Sequence, residues 1–297
     1  MKLWVGSSSV EALLPWVRQV IQSLQIRYED LNVEIAPIVT TGERQAAESP
    51  EGLASGPDDL LTREVDAALL NGTIDFAIHR AQDLPAVLAE GLCIAAYCKR
   101  EDPRDIFVAR SGIPWAGFGA GKVAVSTLRR HLQIKRARPG VEPVPLRGAV
   151  TSRLGRLEGG FCDALVLAGA DWAGLGLPPQ RAEFIPVEDV VPGPGQGALA
   201  LVSRLDRKDV REMLRAFDDP LCRLEVEFER ALLRALGPDH AWVLGALARS
   251  GEDGIGMSVF HARPDGSRPL RLRRFCAGPA EREGFIRELA ESIGRDG

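Results

Sequence analysis

Basic residues gather at two places in the middle of the chain, each directly after a short apolar run. The residues concerned are Ser126, Thr127, Arg129, Arg130, Arg147 and Arg153. An apolar run that stops at a hydroxyl residue and then turns basic is typical of a strand that leads into a helix N-terminus. Free backbone N–H groups and guanidinium forks both select anions at such a junction. The pattern predicts that these residues bind carboxylates or phosphates.

One acidic residue that could move protons, Asp83, follows the predicted strand Ile74–Ile78 and lies on a loop. An aspartate before Leu-Pro is more often a turn or capping residue than a catalyst. Arg80 and Gln82 flank it, and a nearby guanidinium would favour the ionised form of its carboxyl group. Taken alone, these residues favour a structural role for Asp83.

The elements that must position these residues follow from the spacing of apolar side chains. Short apolar runs alternate with longer amphipathic ones, for example the strand Lys2–Val5, the helix Val10–Leu24 and the strand Asn32–Ile38. Such alternation predicts α/β layers with largely parallel sheets, whose ligands lie beyond the carboxyl ends of the strands. The predicted helix Leu128–Ala137, which carries two of the arginines, begins at such an end.

A chain of 297 residues is expected to form two or three domains. The Gly/Pro-rich stretch 192–197 leads into a strand and is typical of a hinge between domains. From about residue 220, a long helix, three strands and a final helix indicate a separate small α+β domain. We expect a first domain of residues 1–97 and 192–213, a second of 98–191 and a third of 214–297.

The composition excludes several function classes. No apolar stretch approaches the roughly 20 residues that span a bilayer, so a membrane role is not expected. The net charge of −4 argues against nucleic acid as a partner. The N-terminal segment runs straight into a strand-like stretch without the apolar core of a signal peptide, so we expect a cytoplasmic protein.

The cysteines are too few and too scattered for a disulfide framework or a metal site. They are Cys93, Cys98, Cys162, Cys222 and Cys276. An odd number of thiols, mostly inside apolar runs, is typical of reduced core cysteines. No pair has the spacing of a zinc motif, so no metal is expected.

Five short segments together resemble the hydroxymethylbilane synthase family, also called porphobilinogen deaminase. They are Arg100-Glu101-Asp102-Pro103-Arg104-Asp105 with Phe107, Ser126-Thr127-Leu128-Arg129-Arg130, Leu146-Arg147-Gly148 with Arg153, Gly195-Gln196-Gly197, and Glu229-Arg230-Ala231. They stand in the family's order and with similar spacing, and they extend over residues 1 to about 250. On this ordered set the chain is identified as a member of that family.

The resemblance implies a fold and a chemistry. The fold is two periplasmic-binding-protein-like α/β domains with a hinge, plus a small C-terminal α+β domain. The family removes ammonia from an aminomethylpyrrole and joins the resulting azafulvene to the free α-carbon of another pyrrole. Asp83 matches the loop aspartate that balances the cationic pyrrole and moves protons. The implied partner is a small carboxylated pyrrole, bound by a monomeric protein at the arginines above and at Ser9 and Gln82.

The departures from the family pattern concern the cofactor and the cations. The family attaches a dipyrromethane cofactor to a cysteine, but His240 stands at that position and no cysteine lies in that loop. An imidazole cannot replace a thiolate as a thioether anchor, so we expect no covalent dipyrromethane. His240 is then either a loop residue or a group that transfers protons or contacts ligand. Gln82 and Gly174 replace a lysine and an arginine, which predicts weaker binding of a polycarboxylate chain.

Three functions are compatible with this pattern. We expect a transferase that activates a pyrrole-type methylene donor and couples it to a nucleophile held non-covalently, as a divergent paralogue in a specialised pathway. One alternative is a genuine hydroxymethylbilane synthase of tetrapyrrole synthesis. The other is a non-catalytic ligand-binding or regulatory protein that retains the cleft.

Overall fold

The computed structural model describes residues 2–8, 11–263 and 265–296. The strands are β1 (Lys2–Ser8), β2 (Asn32–Ile38), β3 (Phe76–Arg80), β4 (Leu92–Tyr97), β5 (Asp105–Ala109), β6 (Gly121–Val125), β7 (Val141–Pro145), β8 (Ala164–Ala168), β9 (Glu183–Phe184), β10 (Leu199–Arg204), β11 (Gly245–Gly251), β12 (Gly254–His261) and β13 (Leu270–Cys276). The helices are α1 (Leu14–Arg27), α2 (Thr41–Glu48), α3 (Arg63–Leu70), α4 (Leu128–Ala137), α5 (Val150–Glu158), α6 (Gly169–Gly174), α7 (Lys208–Leu214), α8 (Pro220–Leu236) and α9 (Arg282–Asp296).

Two five-stranded sheets have the same arrangement. The first has the order β2-β1-β3-β10-β4 and the second the order β7-β6-β8-β5-β9. In each sheet three neighbouring strands run parallel, and a fourth strand, β10 or β5, pairs antiparallel with its neighbours on both sides. This repeat confirms the predicted pair of periplasmic-binding-protein-like α/β domains.

The C-terminal part is a three-stranded antiparallel sheet with the order β11-β12-β13, covered by α8 and α9. Its core contains Phe228, Leu232 and Leu289 from the helices and Met257 from β12. This arrangement is the predicted small α+β domain. The exact boundaries of the three domains remain a prediction.

Buried strand ends place the functional residues. β8 is buried along its whole length, and β3 is buried up to Arg80, which lies at its carboxyl end. At the end of β6 the side chain of Thr127 accepts a hydrogen bond from the backbone N–H of Arg130 and so starts α4. The helix α4, which carries Arg129 and Arg130, therefore begins at the edge of the sheet where the parallel strands end.

Two segments cross between the sheets, residues 98–104 and 192–197, and one buried glutamate attaches both to the third domain. Glu229 on α8 accepts two hydrogen bonds from Arg100, at 2.8 and 3.0 Å, and one from the backbone N–H of Gly195, at 2.7 Å. Arg100 also donates to the carbonyl of Gln196 at 3.0 and 3.1 Å. The hinge stretch 192–197 therefore contacts both the crossing segment 98–104 and α8.

Among the described residues, no helix combines the length and the apolar character that a membrane crossing requires.

Candidate active site

A cavity of about 740 Å³ opens at the carboxyl ends of the two parallel sheets. Asp83 and Arg80 line it from the first sheet, Arg130 and Arg153 line it from the second, and Trp242 lines it from the third domain. The segment around Gly56 contacts the third domain, because the carbonyl of Gly56 accepts a hydrogen bond from the Trp242 indole at 2.7 Å. All three parts of the molecule therefore enclose one cleft.

Asp83 ends a short 3-10 turn, Ala81–Asp83, that directly follows β3. Arg80 Nε donates to Asp83 Oδ2 at 2.6 Å, and the Asp83 side chain is only 11% exposed. Burial raises the pKa of Asp83 above its ordinary value; Arg80 opposes that rise, while Asp171 and Glu43 add to it. Arg80 favours the ionised form, as the sequence predicted, whereas burial acts in the opposite direction and is the larger influence. Asp83 is suited to hold and release a proton.

Asp171 is a second carboxylate of the cleft that the sequence did not single out. It lies on α6, and both of its oxygens accept from Nη1 of Arg80, at 3.0 and 3.1 Å. Nothing in the local sequence indicates this contact, since the two residues are 91 positions apart and belong to different sheets.

Arg129 and Arg130 line the cleft, but a buried carboxylate already binds both. Arg129 Nη1 lies 3.0 Å and Arg130 Nη2 lies 2.7 Å from the oxygens of Asp105. Burial alone would raise the pKa of Asp105, yet the two guanidinium groups outweigh it and hold that pKa below its usual value. Ser126 accepts a further hydrogen bond from Arg130 at 2.9 Å. Two cations against one anion leave a single positive charge here.

Arg147 and Arg153 are two cations of the cleft that form no salt bridge among the described residues, although the charges of Asp171 and Glu11 act on Arg153. The side chain of Arg153 is buried, with 8% exposure, and its Nε has no hydrogen-bond partner. Burial lowers the pKa of Arg153 to about 10. Arg147 makes one long hydrogen bond, 3.5 Å to the carbonyl of Gly42. Because a buried cation without a salt bridge is costly, Arg153 is suited to bind an anionic ligand, and the half-buried Arg147 is a second candidate for that role.

The remaining predicted site residues are placed as follows. Gln82 lines the cleft beside Asp83, and Thr127 lines it at the start of α4. Ser9 lies outside the described residues. The roles assigned to these residues stay predictions.

His240 does not line the cleft. It ends a 3-10 turn, Pro238–His240, and its Nδ1 lies 2.8 Å from Nε2 of the buried His261. The two histidines border a different cavity of about 840 Å³ next to α8 and α9. The structure therefore supports the loop interpretation of His240 over a role in proton transfer at the cleft.

None of the five cysteines lines the cleft, and all five are described and free. Cys98 lies behind the wall formed by Arg80 and Asp171, where burial raises the pKa of its thiol to about 12. A thiol in that state is a poor nucleophile. Among the described residues no group of three or more His, Cys, Asp and Glu side chains could hold a metal ion.

The two sheets approach each other closely beside the cleft. Glu11 accepts hydrogen bonds from the backbone N–H and the hydroxyl of Thr151, at 2.7 and 2.8 Å. A Cβ atom at Gly174 would lie 2.4 Å from both the carbonyl oxygen of Ala12 and Nε1 of Trp16. The arginine that is usual at position 174 in the family therefore has no room here.

Gly174→Ala is expected to lower the free energy of unfolding by about 1–3 kcal/mol, because the added methyl group meets a backbone oxygen. Urea denaturation followed by circular dichroism measures the change. Gly155→Ala is the matched control: that helical position has no atom within 4 Å of an added Cβ. This control is expected to be neutral or stabilising by up to about 1 kcal/mol. Equal effects of the two substitutions would contradict the close approach at Gly174.

Comparison with known proteins agrees with this geometry. The family model described as "Porphobilinogen deaminase, dipyromethane cofactor binding domain" matches residues 9–212. A curated relative from Desulforudis audaxviator is 37% identical over 94% of this chain and 89% of its own length. Relatives from Chromobacterium violaceum and Geobacter sulfurreducens are 35% and 33% identical, over 98% and 100% of this chain and 91% and 92% of theirs. All three carry the name porphobilinogen deaminase.

Proposed function

Because the chain belongs to the porphobilinogen deaminase family, we propose that it is a hydroxymethylbilane synthase that deaminates porphobilinogen and joins the pyrrole units head to tail. The family makes it a transferase of porphyrin biosynthesis. The sequence had favoured a specialised paralogue. Relatives that match nearly the whole chain at 33–37% identity share one name, and this favours the alternative of a genuine synthase.

The observation that carries the proposal is that the buried pair of Asp83 and Arg80 lines the same cleft as Arg147 and Arg153, two cations that form no salt bridge among the described residues. Porphobilinogen combines one basic aminomethyl group with two carboxylates. Its carboxylates match Arg147 and Arg153, which supply charge-assisted hydrogen bonds. Its aminomethyl group matches the carboxyl group of Asp83. The cleft thus has complementary groups for both ends of this substrate.

In the proposed reaction the carboxyl group of Asp83 acts first as an acid. The protonated carboxyl donates its proton to the leaving amine, the C–N bond breaks, and ammonia departs. The carboxylate that remains stabilises the positive charge of the azafulvene. The α-carbon of an acceptor pyrrole attacks the methylene carbon, a C–C bond forms, and the α-proton returns to Asp83. The side chain ends each coupling in its starting state, and in the last step water attacks the methylene carbon in place of a pyrrole, which gives the terminal hydroxymethyl group.

We propose that the acceptor is held without a covalent bond. The matching family model is named for the dipyrromethane cofactor, and the arginines of the cleft fit the carboxylates of such a dipyrrole. The thioether anchor does not fit, because His240 occupies its position and its ring bonds to His261 instead of facing the cleft. No step of the proposed reaction therefore uses an enzyme-linked pyrrole.

Incubation with porphobilinogen is expected to release ammonia and form hydroxymethylbilane, detected as uroporphyrin after oxidation. The intact mass of the protein, measured after acid denaturation, is expected to equal the mass calculated from the sequence. Protein incubated without porphobilinogen is the control. A mass increase that matches a dipyrrole would refute the non-covalent acceptor. Binding of porphobilinogen without ammonia release would instead support the non-catalytic alternative.

A further inference from the structure

Arg80 joins two carboxylates that belong to different domains. Its Nε donates to Asp83 on the catalytic loop at 2.6 Å, and its Nη1 donates to both oxygens of Asp171 on α6. The guanidinium group is rigid and planar, so a contact at Nη1 fixes the direction in which Nε points. The position of Asp171 therefore determines how Arg80 presents itself to Asp83.

Burial makes these contacts strong. The Arg80 side chain is 19% exposed, and those of Asp83 and Asp171 are each 11% exposed. Hydrogen bonds between ionised groups are stronger in such surroundings than at a surface. Burial disfavours the charged form of Arg80, yet the two carboxylates raise its pKa overall, so the cation is retained. One cation therefore serves two acids, with a surplus of one negative charge when both are ionised.

Arg80 and Asp171 also form part of a wall of the cleft. Arg80, Gln82 and Asp171 border the main cavity on one side and a second cavity of about 230 Å³ on the other. Gln82, the neighbour of Asp83, is uncharged. The positive charge next to the carboxyl group of Asp83 is therefore that of Arg80. Asp171 thus borders the space where the substrate reacts and is more than a distant link between domains.

We propose that Asp171 is a positioning residue of the reaction, which holds Arg80 against Asp83 and so ties the placement of the reacting carboxyl group to the second domain. This inference rests on the proposed function of the cleft. It adds a residue that acts on Asp83 through Arg80 without contributing to the transfer of protons itself.

The charges that face Asp83 give the expected pH dependence. They are Arg80 from β3, Asp171 from α6 and Glu43 from α2, and the charge of Arg153 interacts with both Asp171 and Glu11. Removal of the negative charge of Asp171 takes away one influence that raises the pKa of Asp83, so that pKa is expected to fall. Because the reaction needs the protonated carboxyl group, activity is then lost at a lower pH than in the wild type.

The test compares Asp171→Asn with Asp171→Glu and with Asp206→Asn, which alters an exposed aspartate outside the cleft. In Asp171→Asn, kcat for ammonia release is expected to fall about tenfold at the alkaline end, and the alkaline limb of the pH profile to move about one unit toward acid. KM is expected to change less than about threefold. Asp171→Glu is expected to restore part of kcat, and Asp206→Asn to match the wild type.

Arg80→Lys provides a second route if Asp171→Asn does not fold, since a lysine cannot bind both carboxylates in the planar geometry. It is expected to lower kcat with little change in KM. An unchanged kcat and pH profile in either variant, with only a lower melting temperature, would show Asp171 to be purely structural and overturn the proposal.

Failure of the proposed function can be told apart from failure of this inference. The pKa of Asp83 can be followed by NMR with carboxyl-labelled aspartate in the unliganded protein, whether or not porphobilinogen is converted. A lower pKa of Asp83 in Asp171→Asn supports the positioning role. An unchanged pKa refutes it, even in an enzyme that converts porphobilinogen normally.

Discussion

Asp83→Asn is expected to lower kcat for ammonia release about a thousandfold and to leave KM within about threefold of the wild type. Asparagine has nearly the same shape as aspartate and can still accept the hydrogen bond from Arg80 Nε. It cannot donate an acidic proton to the leaving amine or carry the negative charge that faces the azafulvene. The loss therefore falls on the transition state and spares the binding of substrate.

Steady-state ammonia release measures this change, and isothermal titration with porphobilinogen shows whether binding survives. Asp206→Asn, which alters an exposed aspartate paired with Arg204, is the matched control and is expected to retain full activity. If kcat of Asp83→Asn stayed within tenfold of the wild type, Asp83 would not be the group that transfers the proton, and the mechanism proposed above would fail.

Arg153→Met is expected to raise KM for porphobilinogen about 10- to 100-fold while making the protein more stable by about 1–3 kcal/mol. Arg153 is a buried cation whose Nε has no hydrogen-bond partner, so its burial costs free energy in the empty protein. Methionine replaces the aliphatic part of the side chain and removes the guanidinium group with its charge. The substitution removes a contact with the substrate carboxylate and a destabilising charge at once.

Arg130→Met is the matched comparison, because it removes a second arginine of the same cleft. Arg130 binds the buried Asp105 at 2.7 Å, and its loss leaves that carboxylate with fewer partners. This variant is expected to lose about 3–5 kcal/mol of stability. Urea denaturation measures whether the free energy of unfolding rises in Arg153→Met and falls in Arg130→Met. A loss of stability in Arg153→Met as large as that in Arg130→Met would show that Arg153 has a structural partner and is not reserved for the ligand.

The sequence predicted four of the six described arginines that line the cleft but could not separate their tasks. The pattern of a strand, a hydroxyl residue and a basic turn correctly places Arg129 and Arg130 at the start of α4. That Asp105 binds both depends on where β5 lies relative to that helix, which is a tertiary fact without a local signal. The contact between Asp171 and Arg80 is hidden for the same reason, since it joins two different sheets.

The elements that the sequence missed have short or polar patterns. β8 is a run of five apolar residues, too short to distinguish a strand from a helix by periodicity. α2 has no apolar stripe, and Gly42 is its only buried residue. The capping box formed by Thr40 and Glu43 was the available signal for that helix. α1 begins at Leu14, four residues later than predicted.

The cofactor question shows a similar division. The sequence alone reveals that an imidazole stands where the family has a thiol. It does not reveal where the side chain at that position points. The turn Pro238–His240 directs the ring toward His261, while Trp242, two residues later, faces the cleft. Only the direction of the side chain at position 240 shows whether His240 could take over the attachment role of the cysteine.

The strand order of the two like sheets has a consequence for how the chain folds during synthesis. β10 lies between β3 and β4 in the first sheet, but it is made about 100 residues after them, once the whole of the second sheet has been synthesised. The second sheet is built from one continuous stretch, β5 to β9. The domain that is later in the chain can therefore close its hydrogen-bond ladder first. The N-terminal domain meanwhile exposes the unpaired edges of β3 and β4 until the returning strand fills the gap.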